Sequence, residues 1–323
     1  MGASKPASPA NPSNPAASAD AAEPAANIPT AGARRLSAVE AATRASNRNR
    51  VWSRFVRYRP GLFGLGVIIL LALCAVFAPL LAPYSPYKVT TSLRGAAPSA
   101  DYLLGNDPIG RDILSRLIYG TRIALIVGIG ATMIAVTIGV TVGAVAGYFG
   151  GKVDFLLSRV VDALMAFPLL ALLLTLSAVF GPSLRNVVLV IGFSIWAGYA
   201  RIVRAEVLSL RERDYVLAAR TAGATDRRII FRHIVPNALG PVIVLASLAI
   251  GGVIILESAL SFLGLGINPP TASWGGMLAD GRDHIRNYPH ITISPGIAIM
   301  VTVLAFNLVG DGLRDALDPR GER

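Results

Sequence analysis

Long apolar runs separated by short charged stretches constrain this chain more than any other feature. There are six of them, at roughly 61–83, 121–148, 156–180, 186–204, 238–262 and 292–311. A bilayer core of about 30 Å takes about 20 consecutive apolar residues in a helix. A helix also satisfies its backbone polar groups internally, which lipid cannot do for it. The runs therefore predict an all-α membrane protein, a polytopic bundle of six transmembrane helices. Composition agrees, with 15% charged residues where a soluble domain carries about 25%. The third and fourth runs are divided only by Gly181-Pro182-Ser183, and Pro168 is expected to kink the third.

Charge sets the expected orientation. Arg34, Arg35, Arg44, Arg48, Arg50, Arg54, Arg57 and Arg59 precede the first run. Arg204, Arg211, Arg213, Arg220, Arg227, Arg228 and Arg232 fill the stretch between the fourth and fifth, and Arg314, Arg320 and Arg323 follow the last. Six spans place all three groups on one side, cytoplasmic by the positive-inside rule, with both termini there and with 84–120 and 263–291 outside. The net charge of +11 is thus read as topology within the membrane lipid, not as a nucleic-acid surface, because no basic stripe is interleaved with exposed aromatics. Residues 1–33 are nearly all Ala, Pro, Ser and Asn and are expected to be disordered. They lack the apolar core of a secretory signal. The chain divides into a tail (1–50), a first span with an external segment (51–120), a transmembrane core (121–312) carrying a cytoplasmic loop (205–237), and a cytoplasmic tail (313–323).

A chemical centre is hard to find. No Gly-x-x-x-x-Gly-Lys-Ser/Thr phosphate loop occurs, and Gly61, Gly64 and Gly66 open a membrane span where a dinucleotide fingerprint needs a strand. The single cysteine, Cys74, excludes an intrachain disulfide framework. His233, His284 and His290 lack metal-ligand spacing, and no nucleophile is framed by a base. The reading is a chain without catalytic residues, metal or cofactor of its own. Gly139, Gly143 and Gly147 recur every fourth residue along one helix face, which suits close packing within the bundle or a subunit interface. Arg159 and Asp162, three apart, are expected to pair. Glu257 lies within the fifth run, and intramembrane ionisable groups tend to be functional. It faces either a water-filled path or Arg122.

The most informative stretch is YVLAARTAGATDRRIIFRHIVPNALGP, from Tyr215 to Pro241. Tyr215–Ala222 can form two helical turns. Gly223 can end them with a positive φ. Thr225 can then cap a second short helix with Asp226 in its positive first turn, and Pro236 marks the boundary before the fifth span. Ala218, Ala219 and Gly223 would give the hairpin a slim face that fits a groove in another protein.

This segment resembles the Glu-Ala-Ala loop of ABC importer permeases. Ala218, Ala219, Gly223 and Pro236 keep the family spacing, while Leu217 stands at the glutamate position and His233 and Val235 at the Ile and Leu positions. The string HIVPN is similar to the dipeptide, oligopeptide and nickel branch. So are Leu103–Arg122, Val161–Leu170, Glu257–Gly266 and Ser273–Leu278, which resemble the second permease subunit of that branch. The resemblance covers about residues 55–320. It implies a permease of the bacterial inner membrane that pairs with a homologous permease and moves dipeptides or short oligopeptides. It further implies an external substrate-binding protein that delivers the solute, and two ATPase subunits (or one fused ATPase) that bind ATP and Mg²⁺. The implied coupling residues are Tyr215, Ala218, Ala219, Gly223, Ala224, Thr225, Asp226, Arg227, His233 and Pro236. Nickel or another small solute is the alternative for the same architecture. A carrier driven by an ion gradient is the alternative from another class, which would normally show buried carboxylates in several spans.

Overall fold

The apolar runs become helices whose ends are set by identifiable residues. The computed structural model describes residues 51–317. The readings of the tail 1–50, and of Arg320 and Arg323, lie outside the described residues. Among the described residues there is no β-strand, only a bridge between Asn106 and Asp112.

Helix α1 (Arg59–Val76) starts with Pro60 in its first turn and stops at Phe77, ahead of a separate turn at Ala78–Leu81. Helix α2 (Ile113–Phe149) begins well before the apolar run because Asp112 caps it, accepting the Ser115 amide at 2.8 Å. At 37 residues it is about 55 Å long. Gly150, at φ +66°, ends it. Helices α3 (Gly151–Ala166) and α4 (Leu169–Phe180) together replace the third run. Helix α5 (Leu184–Leu210) is capped by Ser183. A short helix, α6 (Asp214–Thr221), leads through further helical turns into α7 (Val235–Phe262). Helix α8 (Trp274–Gly281) and helix α9 (His290–Leu317) complete the fold.

Among the described residues five helical stretches are long and apolar enough to cross a membrane: α1, α2, α5, α9 and the continuous run Asp226–Phe262. The sixth expected span differs. It is not one kinked helix but the pair α3 and α4, bent by 89°. Phe167 precedes Pro168 and is driven to extended geometry (φ −81°, ψ 136°), so the helix ends and restarts on a new axis.

The glycine stripe resolves as packing inside the bundle. A Cβ on Gly139 would strike Tyr199. One on Gly143 would lie 2.5 Å from the Ala200 carbonyl oxygen, and one on Gly147 2.9 Å from that of Arg204. Helices α2 and α5 therefore touch backbone to backbone. Gly64 does the same for α1 against Ala305 of α9. Three apolar clusters form the core: one below α6 around Val203, Val207 and Ile234, one mid-bundle around Val127 and Ile191, and one around Ile113 and Trp274.

Candidate functional site

The Tyr215–Pro241 segment folds as a helical hairpin whose turn chemistry is local and complete. Helix α6 carries Asp214 in its first turn and ends at Thr221. The Gly223 amide then donates to the Arg220 carbonyl (3.0 Å) and the Ala224 amide to the Ala219 carbonyl (3.0 Å). This pair of bonds satisfies carbonyls at the helix end and needs a left-handed residue between them. Gly223 supplies it at φ +77°, with open space where a Cβ would stand. Thr225 next caps a single turn, Asp226–Ile229, by accepting the Arg228 amide (3.4 Å).

Pro236 stands at the start of α7, as expected, but no break in the chain separates the hairpin from the span. Residues Ile230–Ile234 form a π turn in which the Val235 amide reaches back to Ile230, and α7 starts directly on it with Pro236 in its first turn. A proline lacks the N–H and crowds the carbonyl four residues earlier, and a wider turn relieves both. His233 sits in this turn, half-buried.

One face of the hairpin is anchored. Val216, Ile229 and Ile234 are fully buried and join Tyr148, Val203 and Val207 in one cluster, with Ala219 and Ala224 packed against it. Tyr148, at the end of α2, donates its hydroxyl to Asp226 Oδ1 (2.6 Å), and the Arg220 guanidinium lies over its ring at 5.6 Å. Arg211 donates to the Gly147 carbonyl (3.0 Å). The other face is open. Tyr215, Leu217, Ala218, Thr225, Arg227 and Phe231 are exposed. Thr225, Arg227, Arg228 and Phe231 line a shallow recess of about 410 Å³.

Beside the hairpin, α3 is clasped to α5. Arg204 pairs with Asp154 (Nη2–Oδ2 2.6 Å) and Arg201 with Asp162 (2.8 Å). Asp162 also lies 3.9 Å from Arg159, so the expected pair exists but is the looser of its two. Asp162, Arg201 and Arg204 line a cavity of about 360 Å³ between α2, α3 and α5.

Glu257 and Arg122 are not partners. Glu257 is buried, and its carboxylate accepts the hydroxyls of Ser261 (2.7 Å) and Ser258 (3.3 Å). Arg122 donates instead to the Ala75 and Val76 carbonyls at the end of α1 (3.0 and 3.4 Å). Those carbonyls are left open where α1 breaks before Pro79, and a long cation satisfies them. Glu257 is thus satisfied by its neighbour Ser258 and by Ser261 one turn on, not by an arginine.

A family model described as the binding-protein-dependent transport system inner membrane component matches residues 139–323, more than half of the chain. The chain belongs to this family. A second model, the N-terminal transmembrane domain of oligopeptide transport permease C, matches residues 46–100. The dipeptide transport system permease protein DppC of Alkalihalophilus pseudofirmus is 44% identical over 80% of this chain and 85% of its own length. The di/tripeptide transport system permease protein DppC of Pseudomonas aeruginosa is 41% identical over 83% and 91%. In fold, the chain is similar to one from the inward-facing MetNI methionine ABC transporter. The TM-score is 0.53 at 17% identity, covering 64% of this chain and 98% of that one.

In this inner membrane component, three of the four signature segments outside the hairpin (Leu103–Arg122, Glu257–Gly266 and Ser273–Leu278) gather at the opposite end of α2, while Val161–Leu170 lies on α3 and α4 with Val161 in the cluster beneath the hairpin. Asp107 binds Arg111 (2.5 Å), which reaches Asp280 of α8 (2.7 Å), and Arg116 approaches both carboxylates at 3.5–3.7 Å. Trp274 donates its indole N–H to the Leu117 carbonyl (3.0 Å) and lies where a Cβ on Gly120 would be. Ser261, held by Glu257, accepts the Ile267 amide (3.1 Å). These three motifs are thus one interlocked cap. Sequence reasoning missed Tyr148, Arg211, Arg201 and Asp280 as contributors. A signal for the arginines was present, since lone cations at the end of an apolar run need a carboxylate or carbonyl partner.

Proposed function

We propose that this chain is the second permease of a binding-protein-dependent importer for dipeptides or short oligopeptides. Its hairpin would dock in a groove of a cytoplasmic ATPase that holds ATP and Mg²⁺. The observation that carries the reading is the two-faced hairpin: one face sealed to the α2 and α5 ends by Val216, Ile229, Ile234 and Tyr148, the other presenting Tyr215, Ala218, Thr225 and Arg227 to solvent. A loop with that construction transmits a push without folding under it. The names of relatives above 40% identity support the peptide class. The arginine-rich hairpin supports a cytoplasmic placement by the positive-inside rule, which puts the Asp107–Asp280 cap outside, towards the substrate-binding protein. A homologous permease would supply the other half of the path, and the whole would rock as rigid bodies when the ATPases close.

The test is Gly223→Arg in the assembled complex. The position has open space but a left-handed backbone, so the helices should insert normally while a long cation enters the docking face and strains the turn. The expected outcome is normal membrane insertion with uptake of a radiolabelled dipeptide lost. Uptake at the parent rate would remove the hairpin from the mechanism.

A further inference from the structure

A push on the hairpin has three ways into the bundle. The lead-in from α5 is a turn at Arg211–Arg213, and the exit into α7 passes through the π turn Ile230–Ile234, where the regular ladder is interrupted. The third way is lateral. Arg211, Arg220 and Asp226, from the lead-in and from both arms of the hairpin, converge on Gly147 and Tyr148, two adjacent residues at the end of α2. Tyr148 touches both arms at once, its ring under Arg220 and its hydroxyl on Asp226. It is 6% exposed and wedged among Val203, Val207 and Ile229. Directly behind it, Gly147, Gly143 and Gly139 lock α2 to the backbone of α5. Whatever displaces Tyr148 therefore displaces two spans together.

We propose that Tyr148 is the positioning residue through which the hairpin moves α2 and, with it, α5, its hydroxyl bond to Asp226 being the link that keeps hairpin and helix one body. This rests on the coupling role proposed above. A hydrogen bond to an ionised acceptor is among the stronger and more directional kinds. The bond spans the two elements that must not slip, whereas the apolar contacts around it resist separation more than sliding.

The experiment uses the intact complex with its ATPases, in a Cys74→Ala background and with cysteine-free partner subunits so that labels enter only where placed. Spin labels at Ala222→Cys on the exposed hairpin tip and Met133→Cys on the exposed side of α2 report the distance between the two elements. In the parent one distance is expected, unchanged between the nucleotide-free and ATP-bound states. Tyr148→Phe keeps the ring, its packing and its face beneath Arg220 but removes the hydroxyl and with it the link. There the distance should shift or broaden on ATP addition only, a nucleotide-dependent effect that a merely structural role would not produce. Asp226→Asn should move it the same way, and the double variant no further than the larger single, as expected for two ends of one bond. A Tyr148→Phe complex with the parent's distances in both states overturns the proposal, as does a parent distance that itself changes with ATP. Failure of the ATPases to co-purify with the parent complex would be a separate result, removing the coupling reading and the proposal with it.

Discussion

The two ends of α2 are held by the same residue types in opposite circumstances. At the Ile113 end, Arg116 and Asp107 are 2% and 4% exposed and share their partners with Arg111 and Asp280. One turn along α2, Gly120 meets Trp274 without space for a methyl group. At the Phe149 end the outer ion pair is wet: Arg201 and Asp162 keep about half of their side-chain surface in solvent, and a Cβ on Gly223 at the hairpin tip would meet open space. Buried charges tolerate no change of geometry, because a displaced partner leaves an uncompensated ion. Exposed pairs let water take over when they part. The contrast is that of a fixed cap and an adjustable clasp on a single 37-residue rod. It agrees with the coupling role proposed for the hairpin end.

The largest effect should follow from breaking the cap. Arg116→Leu removes a buried cation facing Asp107 and Asp280, leaving only Arg111 to balance two carboxylates. Removing one partner from a buried pair costs about 3–5 kcal/mol. The purified permease complex should therefore melt well below the parent, or fail to accumulate. A melting temperature equal to the parent's would mean the cap is no more rigid than the clasp, and the distinction would disappear.

A middle-sized effect tests the rod itself. Gly143→Leu places a Cβ 2.5 Å from the Ala200 carbonyl oxygen, and overpacking of this kind costs about 1–3 kcal/mol. Gly252, on α7, has open space instead, so Gly252→Leu should leave thermal stability of the purified protein near the parent value. Equal melting temperatures for both variants would show that α2 and α5 are free to slide, and that neither end can inform the other.

What the sequence revealed divides along the range of the interaction. The spans and the hairpin turn were legible because hydropathy, a helix-ending glycine and a threonine cap act within a few residues. Gly223 and Thr225 sit as their chemistry requires. Proline was the ambiguous sign. Pro241 and Pro295 remain inside helices α7 and α9, whereas Pro168 divides α3 from α4 by 89°. Nothing local separates these cases, since neighbouring helices decide whether freed backbone groups find partners. Glu257 illustrates an error of distance: Arg122 offered the opposite charge, but Ser261, one turn along the same helix, made the bond. Tyr148 was out of reach, because its link to Asp226 crosses 78 residues of sequence, and an apolar run ending in an aromatic residue announces no partner.

The smallest effect is expected at the clasp, and it is the one that sharpens the comparison most. Asp162→Asn loses the Arg201 bridge and the weaker approach of Arg159, both at half-exposed side chains. Exposed pairs of this kind contribute below about 1 kcal/mol, so thermal stability of the purified protein should barely change. Raising the salt should reduce even that difference, because exposed charges are screened. Helix α3 otherwise buries only Val161, and its second bridge, Asp154 to Arg204, stays in place. The variant should therefore loosen α3 without unfolding the chain, read as faster hydrogen exchange confined to Gly151–Ala166. Exchange that quickened equally at Asn106–Arg116 would mean that the two ends of α2 share one stability, and that the clasp is as rigid as the cap.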